Sequence, residues 1–454
     1  MKNLVLLLLF LTLCYCQEEN DRHCEKSKPV IPRLHTVAIT EFGAVGDGKT
    51  LNTLAFQNAI FYLQSFCDKG GAQLYVPPGR WLTGSLNLTS YMTLYLDRDA
   101  VILGSQDYEH WEVVQPLPSY GRGIDLPGWR YSSLLTGYNL TDVVITGDNG
   151  IIDGQGSFWW EAYNKHYLND SRPHLLEFVD SSNIVIANIT FLNSPAWSIH
   201  PIYCSEVLIE NITVSTPPES PYTSGIVPDS SVSMCIRYCN VSTSYDAIVL
   251  KSGWDEYGIA YAKPTINIHL NSLHLQSSMG SGVAFGSEMS GGIATVLVEQ
   301  IHLHDSHIGI ELKTAKGRGG FLQDISILEA EMRNVAVAFK VTGDFGIHPD
   351  SGYNPNAFPI VQDIKFTNVI GQNITMAGVF AGIHESPFTW FILSNITFQI
   401  RPMEPSGRSF WVCSDVFGTS DRVLPEPCPD LQVMSLNTSS FSIFNNPVKQ
   451  VAAL

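Results

Sequence analysis

The fold class this sequence predicts is all-β, a single-stranded right-handed parallel β-helix with a short N-terminal capping helix. Three observations carry that expectation. Segments such as "SNIVIANITF" (182–191), "SEVLIENITV" (205–214), "TINIHLNSLHL" and "WFILSNITF" alternate apolar and polar residues and are rich in Ile, Val and Thr, which is the pattern of strands. One equivalent apolar residue from each of eight such segments gives Ile186, Ile209, Ile236, Leu270, Val298, Ile327, Phe366 and Leu393, spaced by 23, 27, 34, 28, 29, 39 and 27 residues. Gly, Asn and Ser fall between the segments, and Asn suits a tight left-handed bend. A unit this short cannot bury its own apolar face, so successive units must stack and share one core. Coils of strands that close without intervening helices make a parallel β-helix. A β-sandwich would instead turn every 8 to about 12 residues.

Taken in chain order, "MKNLVLLLLFLTLCYCQ" sets one Lys before an apolar run and small residues, which reads as a secretory signal over 1–17 rather than a membrane span. A leader follows over 18–35, and the β-helix domain is expected over 36–430. Early in that domain, "TEFGAVGDGKTLNTLAFQNAIFYLQSF" carries turn residues and then Leu54, Phe56, Ile60 and Leu63 at helical spacing. A helix there would cover the open first coil, as a solenoid requires. "GDGK" lacks the spacing of a phosphate loop and reads as a turn. After Phe398 the repeat is expected to fade, leaving a Pro- and Cys-containing stretch and a tail over 431–454.

Composition bounds the partners. A formal charge of −17 argues against nucleic acid and any other anionic polymer, so an acidic substrate would need a locally basic cleft. Nine Asn-x-Ser/Thr sequons, at Asn87, Asn139, Asn169, Asn188, Asn211, Asn240, Asn373, Asn395 and Asn437, fit an oxidising, glycosylating compartment. Cleavage near Cys16 leaves seven cysteines and at most three disulfides, with Cys413–Cys428 a plausible local pair and Cys204 a candidate buried thiol. No spacing resembles a metal site, and no cofactor is expected. The mature chain is expected to be extracellular, monomeric and free of the membrane.

Chemistry-bearing residues cluster in four stretches on neighbouring repeats, "YTSGIVPDSS" (222–231), "SYDAIVLKSGWDEYG" (244–258), "FGSEMSGG" (285–292) and "GIELKTAKGRGG" (309–320). Alternation puts Glu311 and Lys313 on one side of a strand and Ile310 and Leu312 on the other. That pair reads as a substrate clamp or as an ordinary surface ion pair. Glu288 reads as a ligand-facing carboxylate or a solvated turn residue. Asp246 and Asp229, each alone, read as turn or cap residues more readily than as catalysts. Trp129, Trp159, Trp160 and Trp254 are candidate sugar-stacking faces or core.

With these segments, "EFGAVGDGKT", "IDGQGSFWWE", "RPHLLEF", "FLNSPAWSIHP", "KSGWDEYGI", "GSEMSGG" and "LKTAKGRGG", the chain resembles the plant polygalacturonases of glycoside hydrolase family 28, from about residue 36 to 430. The resemblance implies inverting hydrolysis of α-1,4-galacturonan by three aspartates, with one protonated carboxyl donating to the leaving oxygen and ionised carboxylates orienting water. It also implies a secreted, cell-wall protein that engages pectic polysaccharide. This sequence departs from that pattern. Tyr222-Thr223-Ser224 stand where the family has Asn-Thr-Asp, and Tyr245-Asp246 where it has Asp-Asp. Gly286-Ser287-Glu288 replace Gly-His-Gly, and Glu311-Leu312-Lys313 replace Arg-Ile-Lys. Asp246 thus keeps the position of a water-activating aspartate, and Glu288 is the other candidate catalytic carboxylate. Ser224, Asp229, Tyr245, Glu311 and Lys313 are the candidate substrate-binding residues, with Lys313 expected to pair with Glu311. Two functions stay open, a glycosidase with a rearranged carboxylate set and a catalytically inactive relative that binds wall glycan. An eliminase would need a calcium-binding carboxylate cluster, and none is visible.

Overall fold

The computed structural model describes residue 24 and residues 32–401 and 409–432; the expected signal segment, most of the leader and nearly all of the tail, including Asn437, lie outside them. Twenty-nine strands join one parallel sheet that winds as a solenoid. The single antiparallel strand pair described is Val113–Val114 with Arg130–Tyr131, beside isolated antiparallel bridges at Ala315–Asp344 and Ile383–Ser386.

Each coil presents three faces. The first is built from strands such as Ser182–Ala187, Ser205–Glu210 and Val232–Arg237. The second runs through Thr190–Leu192, Thr213–Ser215 and Asn240–Thr243. The third runs through Trp197–Ile202, Ser224–Ile226, Ile248–Leu250 and Ser281–Phe285. In later coils the faces fuse, so that Ile293–Lys313 is one continuous strand.

The eight apolar residues picked out by the repeat form one column. Ile186 pairs with Ile209, Ile209 with Ile236, Ile236 with Leu270, Leu270 with Val298, Val298 with Ile327, Ile327 with Phe366 and Phe366 with Leu393. All eight are buried in a core that runs from Ile39 to Leu431. Burial of each such side chain contributes about 1.5–3 kcal/mol. Between the first and second faces the backbone turns through left-handed residues, among them Asn188 (φ 57°), Asn211 (φ 50°), Asn368 (φ 56°) and Asn395 (φ 53°). Their amides bond to one another along the solenoid, Asn211 to Asn188 at 2.7 Å and Asn395 to Asn368 at 2.8 Å.

The capping helix α1 spans Thr53–Leu63 and buries Phe56, Ile60 and Leu63, packing on strands Ala72–Val76 and Leu86–Asn87. Leu54, expected on its apolar face, is 69% exposed, on the side of the first turn opposite the buried Phe56 and Ile60. Helix α2 spans Ser157–Asn164 and α3 spans Asp255–Tyr261. "GDGK" is a turn, with the Asp47 carboxylate accepting the backbone N–H groups of Lys49 and Thr50 at 2.8 Å.

The repeat does not end at Phe398. Trp411–Ser414 pairs with Met376–Ala381, and Val416–Leu424 pairs with Phe388–Ile400, a further coil hidden in sequence by its charged outer residues. Cys413 bonds Cys428, and Cys24 bonds Cys235 across 211 residues of chain. Cys67, Cys204 and Cys239 are unpaired. No described helix is long and apolar enough to cross a membrane.

Candidate functional site

The third face carries the chemistry. Its inward residues, Ile226, Ile248, Val283 and Ile310, continue the core, so the side chains between them must point outward. The parallel register aligns residues from coil to coil: Glu177 pairs with His200, and two coils later Asp229 bridges to Lys251. Gly225 donates to the Asp246 carbonyl at 3.0 Å, which sets Ser224 beside Asp246 on adjacent coils.

Asp246 is almost fully buried and both of its oxygens are committed. Oδ1 accepts the Ser281 backbone N–H at 3.0 Å. Oδ2 accepts Lys313 Nζ at 2.5 Å, with both side chains 2% exposed. Lys313 also lies 3.8 Å from Glu311 and 5.0 Å from the centre of the Tyr245 ring. Burial lowers the Lys313 pKa, but Asp246, Tyr245 and Glu311 outweigh it and hold the ammonium charged well above its usual range. Glu311 takes its closest cation from the next coil, Lys340 at 2.8 Å, and accepts the Ser281 hydroxyl at 2.5 Å. The expectation that Lys313 pairs mainly with Glu311 is therefore corrected. The strand does set both outward, yet Asp246 is nearer because the Ile248–Leu250 strand lies two coils below on the same face. The surface-pair reading fails as well, since all three charges are buried.

Tyr245 lies at the mouth of this cluster. Burial pushes its phenol up to about 12, with Lys313 acting in the opposite sense and Asp246, Glu311 and Glu288 adding to the rise. Its ring meets Tyr222 edge-on at 5.5 Å, and Tyr222 meets Tyr163 of α2 at 6.3 Å. Tyr222 is 55% exposed and sits at φ 50°, a left-handed backbone that costs an L-residue roughly 1–2 kcal/mol.

Glu288 is not a solvated turn residue. It pairs with Lys251, and their side chains are 15% and 10% exposed. Burial alone would raise its carboxyl, but Lys251 and Arg318 prevail and hold it at about 2. Arg318 is in turn bonded to Asp255 at 2.5 Å. Nor is Asp229 a simple turn residue. It is wholly buried, accepts the Tyr120 hydroxyl at 2.5 Å, and lies 3.4 Å from His200 Nε2. The Nδ1 atom of His200 reaches Glu177 at 3.0 Å, and Arg130 completes the chain at 2.6 Å from Glu177.

Sequence reasoning singled out none of Arg130, Glu177, His200, Lys251, Arg318 and Lys340. The available signal was a charge between two apolar residues of a strand, as in Leu176-Glu177-Phe178. Donor atoms of His174, Glu177 and His200 lie within 4.8 Å of one another, the spacing of a metal site. They are spent on internal bonds, however, since His174 Nδ1 accepts the Trp197 N–H at 3.2 Å and the Arg130 guanidinium already neutralises Glu177. Of the candidate tryptophans, Trp159 and Trp254 are core and Trp129 is 49% exposed.

The structure thus brings Ser224, Tyr245, Asp246, Glu288, Glu311 and Lys313 together at the third face, with Asp229 beside Lys251 on the same face. The arrangement supplies buried fixed charges with the exposed Tyr222 ring beside them.

The profile of "Glycosyl hydrolases family 28" matches residues 127–416. A probable polygalacturonase of Vitis vinifera is 45% identical over 427 residues, covering 94% of this chain and 87% of the relative. A probable polygalacturonase of Arabidopsis thaliana is 27% identical, covering 89% and 82%. Among solved structures, the exopolygalacturonase of Thermotoga maritima superposes with a TM-score of 0.72 at 25% identity, covering 83% of this chain and 90% of that one. The polygalacturonase of Erwinia carotovora shares the fold, with a TM-score of 0.66 at 21% identity, over 83% and 97% of the two chains. The chain belongs to the glycosyl hydrolases of family 28.

Proposed function

We propose that this protein is a secreted, polygalacturonase-type member of its family that engages plant cell-wall pectic polysaccharide in the third-face groove, with the three-aspartate hydrolysis switched off. The Lys313–Asp246 pair carries this reading. An inverting glycosidase needs a protonated carboxyl to donate to the leaving oxygen and a carboxylate with a free lone pair to orient water. Asp246, the only aspartate left of the family's three, has one oxygen on an ammonium and the other on a backbone N–H. Its neighbour is a phenol held at about 12, a poor donor to an ether oxygen in an acidic or neutral medium. Glu288, held at about 2, remains ionised there and has no proton to give. Secretion and a wall location are supported by the leading apolar segment and by the sequons, of which Asn87, Asn139, Asn169, Asn188, Asn211, Asn240 and Asn395 are exposed.

The test combines retention on immobilised pectic polysaccharides with a reducing-end assay on the same panel. Retention without release of sugar is expected; turnover on galacturonan that disappears in Asp246→Ala would refute the proposal. The 45% identity to a probable polygalacturonase favours a second reading, a hydrolase using Asp246 and Glu288, and that turnover is the result it predicts.

A further inference from the structure

The geometry points to a neutral pyranose chain, not a polyuronate, as the occupant of the groove, held on a strip of rings formed by Tyr163, Tyr222 and Tyr245. This inference rests on the wall-glycan reading above and narrows its ligand. Two independent observations carry it.

The first is the fate of the cations. A uronate ligand needs a lysine or arginine whose charge is available to its carboxylate. Six of the cations around this groove already have a carboxylate of their own, while Arg122, over the Trp254 ring, bonds backbone carbonyls instead. Lys313 holds Asp246 at 2.5 Å, Lys340 holds Glu311 at 2.8 Å, Arg318 holds Asp255 at 2.5 Å and Arg172 holds Asp125 at 2.7 Å. Lys251 is taken by Glu288, and Arg130 by Glu177 at 2.6 Å. To pair with any of these six, a galacturonate carboxylate would have to displace a partner and leave it buried without a counter-charge, which is strongly unfavourable. The formal charge of −17 opposes the approach of a polyanion at longer range as well.

The second is the run of rings. Tyr163, Tyr222 and Tyr245 follow one another with centroids 6.3 and 5.5 Å apart. They are braced at one end by the Arg172 guanidinium, 4.1 Å over Tyr163, and at the other by Lys313, 5.0 Å from Tyr245. Tyr222 at the centre is 55% exposed. Tyrosine offers an apolar face and a polar tip at one position. A neutral pyranose ring has the complementary form, a C–H face ringed by hydroxyls.

Titration calorimetry of the full-length secreted protein tests this with neutral pectic galactan oligosaccharides of several lengths against oligogalacturonate. At least one neutral glycan should bind tenfold or more tightly than the uronate. Its affinity should be unchanged between about 0.05 and about 0.5 M NaCl, because no ion pair with the ligand is there to be screened. Tyr222→Ala should weaken it by about tenfold, within the range that loss of a ring-stacking contact produces. Tighter uronate binding, salt-sensitive binding of the neutral glycan, or an unchanged affinity in Tyr222→Ala would overturn the inference alone. Absence of binding to every glycan would overturn the wall-glycan reading with it.

Discussion

Lys313→Met removes the ammonium at the centre of the site while keeping much of the stem's volume. Asp246, at 2.5 Å, then loses its close cation, and Glu311 keeps Lys340. Because Asp246 and Lys313 are each 2% exposed, water cannot replace the lost partner. Breaking one side of a buried pair costs about 3–5 kcal/mol, a large share of the 5–15 kcal/mol that typically separates folded from unfolded chains. Asp246→Asn should cost less, because Lys313 retains Glu311 at 3.8 Å and the Tyr245 ring. The double variant should be more stable than the sum of the two losses predicts, by about 1–3 kcal/mol. Urea unfolding followed by tryptophan fluorescence on all four proteins measures that coupling. A Lys313→Met loss below about 1 kcal/mol, or additivity within about 0.5 kcal/mol, would refute the account of Asp246 as a carboxylate spent on an ion pair.

Further outcomes are expected from the same geometry. Ser224→Asp with Tyr245→Asp should remain inert on galacturonan, because Glu311 still opposes the substrate carboxylate, whereas adding Glu311→Arg should raise the release of reducing ends above background; activity of the double variant alone would show that the lost aspartates were the only obstacle. Glu288 has its folded pKa depressed from 4.5 to about 2, so its contribution is present above the unfolded value and is lost as pH falls through the folded one. Stability should therefore decline by roughly 3 kcal/mol between about pH 4.5 and pH 2 from this group, and a titration of unfolding free energy should show that component missing in Glu288→Gln. Ile236→Ala, in the middle of the central column, should cost about 2–5 kcal/mol, and a loss under 1 kcal/mol in the same unfolding assay would count against a continuously packed core.

The core column was legible in sequence because every coil repeats the same demand, an inward apolar residue beside a bend that tolerates a left-handed backbone. Variable loop lengths did not obscure it, since they lie outside the strands. The convergence of Asp246, Glu288 and Lys313 was legible from their placement on neighbouring coils. Their partners were not. Which cation meets which carboxylate depends on register across two or three coils, and "GIELK" offers Glu311 and Lys313 as neighbours although Asp246 and Lys340 lie nearer in space. Burial was misjudged for the same reason. Asp229 follows a proline and looks like a turn residue, but Tyr120 and His200, 109 and 29 residues away in sequence, close over it.

The bond between Cys24 and Cys235 has a consequence for biosynthesis. Cys24 leaves the ribosome 211 residues ahead of its partner, and Cys67 and Cys204 emerge in between. Exchange between thiols needs a thiolate, and burial pushes the Cys204 and Cys239 thiols up to about 12. Each of these thiols is therefore silenced once its own coil has stacked. A chain that winds from its first coil onward withdraws Cys204 as its coil stacks, which narrows the competition for Cys24 to Cys235 and the half-buried Cys67.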